Sequence, residues 1–507
     1  MSLTAALSIA SSGLANINQQ LALISQNVAN ASTPSYAVET LGQESATAGG
    51  QPMGVVSGVA TANIDAALQA QVFGENSSAT SLQTTTNALS AIDQVMGTPG
   101  SGSDLASQVT SLENAFSTLA TDPSNQTQQQ AVVQSASALA AGINTLSAAY
   151  TTARQNAENA IVSEVGSVNT SLAAIGQLSN QIVVLNAQGK STADLENQLN
   201  QQEQTFSGLI GVNFLPQSNG SVLVFTASGT ELPTEGGSAL SAAPATIGPG
   251  ASYPGGIAPI TLGGVDVTNQ LTGGALGANI RLRDQTLPNY QAGLDEFSEN
   301  LATRFAAQGL TLFTDGTGTV PSGGGVPVQS GYVGFAAEIE VNPAVSADPA
   351  LVRDGTNAIA GSPTGAAAFT PNPPGGPAGF DTLINSVLNY TFGADVQAGV
   401  AQPSPNTTGL GPLGNLSLPF TAPGTPTDFA AALVGQEAND SAEASGNLAT
   451  TQATQTALTN QLSATSGVSI DQQMSQMVAL QNSYGANARI IASVQSMFAE
   501  LLNAVPG

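Results

Sequence analysis

The sequence predicts a mainly α-helical chain with a smaller β and irregular part, folded as a nested multidomain rod. Three observations predict it. Both ends carry an apolar seam at heptad spacing, a very long helical pattern occupies residues 126–188, and Pro/Gly tracts set off the centre of the chain. The N- and C-terminal helices are expected to pair as an α-helical coiled coil, enclosing a long helical bundle and a central β- and loop-rich insertion.

The first seam is Leu3, Leu7, Ala10, Leu14, Ile17, Leu21, Ile24 and Val28, in alternating steps of four and three. Ser, Asn, Gln and Ala lie between them, so the helix has one apolar stripe that it cannot bury alone. The other end repeats the spacing with Ile470, Met474, Met477, Tyr484, Ala488, Ile491, Phe498, Leu501 and Val505, while Gln481 and Gln495 fall in register beside Leu480 and Val494. Ser469 three residues before Gln472 has the capping-box pattern, and Gly467 breaks whatever helix precedes it. Heptads alone leave open an intramolecular coiled coil, an intersubunit one, or an ordinary antiparallel core pair.

The first helix runs out between Asn27 and Tyr36, where Asn30 suits a left-handed C-cap and Pro34 forbids continuation. An amphipathic N-terminal helix ending in Asn27, Ala29 and Asn30, followed by Thr33, Pro34 and Tyr36, resembles the axial proteins of the bacterial flagellum: rod, hook and hook-filament junction proteins. That family usually has Gly after the Pro and a basic residue shortly after the Tyr. Here Ser35, Ala37 and Val38 stand instead.

Composition removes other classes. Seven basic residues, scattered along 507, against 33 acidic ones give a net charge of −26, so no nucleic-acid or anionic-membrane surface is expected. Without Cys or His there is no His-dependent triad, thiolate or imidazole zinc site, or disulfide. No apolar stretch is long enough to span a membrane, and the start lacks the pattern of a cleaved secretory signal. No cofactor is expected, and enzyme activity is the weakest reading.

In chain order, residues 41–60 read as a Gly-rich linker or extended segment. A helix is expected from about residue 79 to Gly97, Pro99 and Gly100, and another from Asp104 to Leu119. The stripe from Val132 through Ile161 and Ile175 to Leu185 makes residues 126–188 a rod element, with Gly142, Gly166 and Gly176 as places to bend or break. Gly189, Lys190 and Ser191 imitate the end of a phosphate loop, but Val184 stands where its first Gly belongs and a helix precedes it. Asp194 to Leu209 reads as helix and Val222 to Phe225 as strand.

The segment from Val265 to Gly316 is the most discriminating. Gly273, Gly274, Leu276 and Gly277, then Arg283 and Asp284, then an amphipathic helix closing on Gly309, resemble the first type of hook-filament junction protein, the FlgK family. Physically, the glycines allow a close backbone turn onto preceding helices, and Arg283 with Asp284 reads as a structural ion pair or a helix start. Further on, Ala337 to Val341 alternates as a strand with Glu338 and Glu340 on one face. Pro/Gly tracts flank a short helix from Phe380 to Leu388, and Thr427 and Asp428 are expected to cap the next long helix.

The expected regions are 1–40 with 466–507 as the terminal coiled coil, 41–340 with 428–465 as the long-helix rod (a small β part near 212–270), and 341–427 as an outward, loop-rich insertion. The resemblance implies a structural protein at the hook-filament junction, outside the cell on the flagellum and exported without a cleaved signal peptide. It implies as partners the flagellar hook protein, the second junction protein (FlgL), an export chaperone at the C-terminal helices, and further copies of the chain in a ring. Leu3 to Val28 and Ile470 to Leu501 would carry subunit packing. A hook or rod subunit and a secreted coiled-coil adhesin are the alternatives.

Overall fold

A computed structural model describes residues 3–48, 51–97, 100, 102–236 and 239–503; Pro99 and Val505 lie outside them. The chain is mainly α-helical. Helix α1 (Leu3–Ala29) leads into an antiparallel hairpin of β1 (Glu39–Ala48) and β2 (Gln51–Ala62), where the sequence suggested a linker or an extended segment. The hairpin runs along α1: the amide of Val55 donates to Ser12 Oγ, and a Cβ on Gly54 would collide with that hydroxyl.

Helix α2 (Ala66–Met96) starts well before residue 79, capped by Asp65, because Leu68, Val72 and Phe73 extend its buried stripe toward the N-terminus. Helix α3 (Leu105–Thr121) is capped by Asp104. Helix α4 (Gln126–Ala187) is one uninterrupted run of 62 residues, on the order of 90 Å long. Its glycines do not break it, and Gly176 admits the carbonyl of Thr234, which any Cβ would strike.

Helix α5 (Ala193–Leu209) precedes a three-stranded sheet of β3 (Val212–Pro216), β4 (Val222–Thr226) and β5 (Glu231–Leu232). A second small sheet joins β6 (Leu240–Ser241), β7 (Thr261–Leu262) and β8 (Val265–Asp266). Helix α6 (Gly274–Arg281) passes through a π-helical turn at Leu282–Thr286 into α7 (Leu287–Ala307). Strand β9 (Phe313–Thr314) pairs with β10 (Glu340–Val341), with α8 (Phe335–Glu338) before it. The strand expected from Ala337 to Val341 is therefore shortened: Ala337 and Glu338 close α8, and Glu340 and Val341 form the ladder.

Residues 341–427 hold α9 (Pro343–Ala347), α10 (Leu351–Asp354), α11 (Thr382–Ser386) with a π-helical turn at Val387–Thr391, and the hairpins β11 (Asp395–Gln397) with β12 (Val400–Ala401) and β13 (Thr408–Leu410) with β14 (Leu416–Ser417). Helix α12 (Pro426–Ser466) is capped by Thr425, which accepts the amide of Asp428, so the cap lies two residues before the expected Thr427. Helix α13 (Ile470–Asn503) ends the described chain and packs on α1.

Two hydrophobic cores result. One gathers α3, the first half of α4, α7, α8 and the front of α12, and Val345, Val352, Leu383, Ile384 and Val387 enter it from the 341–427 segment. The other joins the second half of α4, α5, α6 and the two small sheets. Helix α4 passes through both.

Candidate functional site

The end of α1 and the loop after it close into a polar knot. Asn30 closes the helix by donating its amide to Gln26 O (3.0 Å) and its side-chain amide to the same carbonyl (3.1 Å). Thr33 N then donates to Asn30 O, and Tyr36 N to Thr33 O, wrapping the loop tightly around Pro34. Ser35, where flagellar axial proteins usually have Gly, has φ of +59° and is the one positive-φ non-glycine among the described residues. A left-handed conformation costs an L-residue roughly 1–2 kcal/mol, which is the physical reason for Gly there.

Asn27, 1% exposed, is the centre of the knot. Its Oδ1 accepts from Glu39 N (3.0 Å) and Tyr36 Oη (3.1 Å), and its Nδ2 donates to Glu39 O (2.9 Å) and Gln473 Oε1 (3.4 Å). All four hydrogen-bonding sites of the side-chain amide are used, and they tie α1 to β1, the loop and α13. Asn197 on α5 repeats the trick: it accepts Ala37 N (2.8 Å) and donates to Ala37 O (3.2 Å) and Glu39 Oε1 (3.0 Å). Burial first, then the nearby Asp194, raises the Glu39 carboxyl above its ordinary range. Ser466 completes the knot, with its carbonyl accepting Val38 N (2.7 Å) and its hydroxyl accepting Asp65 N (3.0 Å). Asn197, Ser466 and Gln473 were not singled out from sequence, since isolated polar residues with distant backbone partners leave no periodic signal.

The glycine segment seats against the other end of α5. Gly273 and Gly274 have φ of +69° and +58°. A Cβ on Gly274 would lie 2.4 Å from Leu209 C and Ile210 N, and one on Gly277 would lie 2.6 Å from Thr272 C. Leu276 is fully buried in the second core. Helix α5 thus holds the N-terminal motif through Asn197 and the glycine segment through the backbone after Leu209.

Arg283 and Asp284 sit on the π-helical turn between the two cores. Arg283 bridges Asp284 and Glu158 of α4, each at 2.7 Å, with Arg283 and Glu158 both 1% exposed. Arg154, one turn earlier on α4, donates to the carbonyls of Arg283 (3.1 Å) and Ala251 (2.7 Å). Arginine geometry suits this role, because two planar forks serve several acceptors at once.

The terminal helices divide the expected seams. On α1, Ile17 and Ile24 are buried, while Leu3, Leu7, Leu14, Leu21 and Val28 are half-buried. On α13, Met477, Ile491 and Phe498 are half-buried, along the side that carries buried Gln473 and Val494. Ile470, Met474, Tyr484 and Leu501 are 42–55% exposed, as are Val478, Ile490 and Met497. The face toward α1 is therefore partly amide: Gln473 meets Asn27, and Asn487 stands against Gly13. Much of the apolar surface of α13 is left outward. A cleft of about 770 Å³ separates the first half of α13 from the end of α1, lined by Gln20, Ile24, Gln472, Gln476 and Leu480 among others.

Among the described residues no cluster of acidic side chains is arranged to hold a metal ion, and no helix is long and apolar enough to cross a membrane. Gly189 to Ser191 follow a helix, so no phosphate loop is formed.

Two stretches of the chain match known protein families. The model of the flagellar hook-associated protein FlgK helical domain matches residues 89–319, the stretch from the end of α2 through α7. The model of the flagellar basal body rod FlgEFG protein C-terminal region matches residues 460–504, which hold α13. Among solved structures, the flagellar hook junction protein FlgK from Burkholderia pseudomallei is similar at 25% identity with a TM-score of 0.40, over 50% of this chain and 45% of that one. The chain thus matches less than half the length of that relative. No curated protein matches it. The long-helix region is thus similar to the helical domain of the flagellar hook-associated protein FlgK, and the C-terminal helix to the C-terminal region of flagellar basal body rod proteins.

Proposed function

We propose that the chain forms the hook-filament junction and joins hook to filament by packing of its terminal helices between subunits. The observation that carries this reading is the coincidence of a FlgK-type helical domain at 89–319 with a C-terminal helix whose apolar residues Ile470, Met474, Tyr484 and Leu501 face outward. Apolar surface of that kind is stabilised only when a neighbour covers it. In the proposed assembly, residues 1–40 with 466–507 form the inner layer and 41–340 with 428–465 the rod around it. Residues 341–427 lie farthest out.

The partners are the hook protein on one side, the second junction protein (FlgL) on the other, and further copies of the chain closing a ring. An export chaperone covers the C-terminal helices before assembly, and the chain reaches the flagellum outside the cell by flagellar export. The role is mechanical, with no reaction and no cofactor.

The test is deletion of the coding sequence in the native cell, scoring hooks by electron microscopy and filament protein in the medium. Bare hooks with filament protein shed as monomer are expected. Intact filaments with normal swimming overturn the proposal, and loss of the hook itself moves the role to a hook or rod subunit.

A further inference from the structure

Helix α12 carries a carboxyl group where its core stripe calls for an apolar side chain. The stripe runs Phe429, Ala430, Leu433, Val434, Glu437, Ala444 and Leu448, all buried, and Glu437 is 4% exposed in the middle of it. Its Oε1 accepts from the hydroxyl of Tyr150 on α4, and its Oε2 is buried with no partner. The titratable groups facing it are Asp93 on α2, Tyr150 on α4, Tyr290 on α7 and Asp440 on α12 itself. Tyr290 donates to Asp440 (2.6 Å), Ser441 donates to Asp93 (2.5 Å), and the two tyrosine rings stand 5.8 Å apart. Three carboxyl groups therefore meet where four helices cross, and none of the groups acting on Glu437 is a cation.

A buried carboxylate with one unpaired oxygen is costly, whereas the neutral acid is tolerated. Burial foremost, then the charges of Asp93 and Asp440, hold this carboxyl up at about 8, against an ordinary value of 4.5. Beyond Leu448, α12 has no buried residue among those described until Ser466, and Gln455 there donates to Asn76 of α2 (3.0 Å).

We propose that the crossing of α12 with α2, α4 and α7 is a proton-dependent clasp: protonated Glu437 keeps α12 seated, and loss of that proton releases the helix and the terminal arm it carries. The inference goes beyond the junction role, since it concerns the isolated chain. The sign follows from linkage. A raised carboxyl in the closed state and an ordinary one in the open state make closure firmest below pH 4.5, and closure weakens steadily up to about pH 8, where both states have lost the proton. One proton corresponds to a tenfold rise in the opening constant per pH unit across that window, with a plateau above it.

The experiment is hydrogen exchange by mass spectrometry on the full-length monomer between pH 5 and 9, corrected for intrinsic amide rates and read on residues 438–455. Wild type is expected to show about a tenfold loss of protection per pH unit up to about pH 8 and none beyond. Glu437→Gln, neutral at every pH, is expected to remove the slope. Asp93→Asn, which removes one of the like charges, should bring the plateau to lower pH. Should Glu437→Gln fail to fold, a ¹³C titration of the Glu437 carboxyl in wild type decides: a midpoint near the ordinary glutamate value overturns the clasp. A flat wild-type profile, or an unchanged slope in a folded Glu437→Gln, overturns it equally.

Discussion

The rod and the terminal arm are both built of long helices, yet they bury their side chains to opposite degrees. Phe116, Phe305, Phe313 and Leu312 in the rod are fully buried, and Phe305 touches three other aromatic rings. Of the 34 residues in α13 only Gln473 and Val494 are buried. The rod is finished within one chain. The arm packs one side of α13 on α1 and leaves much of its apolar surface, spaced as on a helix face, open to solvent.

The largest effect expected from sharpening this contrast is in the rod core. Phe305→Ala should lower the stability of the monomer by about 3–5 kcal/mol in denaturant unfolding, the usual cost of an emptied aromatic site. Arg283→Met should cost about 3–5 kcal/mol, because it leaves Glu158 buried without its cation. Equal stability in either variant would place the rod on the loose side of the comparison.

Next comes pH. Burial raises the carboxyls of Glu164 and Asp295 to about 7 and those of Glu203 and Glu437 to about 8. Each is raised above its unfolded value, so each contributes stability that is complete below about pH 4 and lost as pH rises to 7 or 8. The thermal midpoint is expected to climb as pH falls from 8 to 5, at about 1.4 kcal/mol per pH unit for each group still protonated in the fold. All four groups lie in the rod or on α12 and α5, so a midpoint independent of pH would contradict the burial on which the contrast rests.

Smaller effects belong to the knot and the arm. With Gln204→Ala removing the hydrogen bond that Ser35 makes to it, Ser35→Gly should stabilise the monomer by about 1 kcal/mol through relief of its left-handed backbone. Ile470→Ser with Leu501→Ser should change monomer stability by less than about 0.5 kcal/mol, since both side chains are exposed. The same pair should abolish incorporation into flagella, scored by complementation of the deletion strain. Assembly at wild-type levels would show that these residues are not the interface.

The parts legible in the sequence are those with a period. The stripe from Val132 to Ile182 gave α4 its length, and the glycines at 273–277 announced a close backbone approach that Gly274 makes against Leu209. The hairpin at 39–62 was illegible because its Gly- and Ser-rich strands alternate weakly and lean on α1 rather than on a core. Seam counting on α13 ranked Ile470 and Met474 above Gln473, yet the glutamine is inside: Asn27 Nδ2 donates to its Oε1, a contact separated by most of the chain. For the same reason Asn197 and Ser466, which pair with backbone groups of the loop, carry no mark that a single sequence displays.

One consequence of α4 passing through both cores concerns how the rod comes apart. Residues such as Ala157 in the first core and Ile161 in the second sit one helical turn apart on a single hydrogen-bonded ladder, with Glu158 between them pinned by Arg283. Melting either core strips the packing from half of that ladder and frays the other half from its end. The two cores therefore share one cooperative transition, and heat or denaturant should dismantle the rod in a single step where two separate lobes would give two.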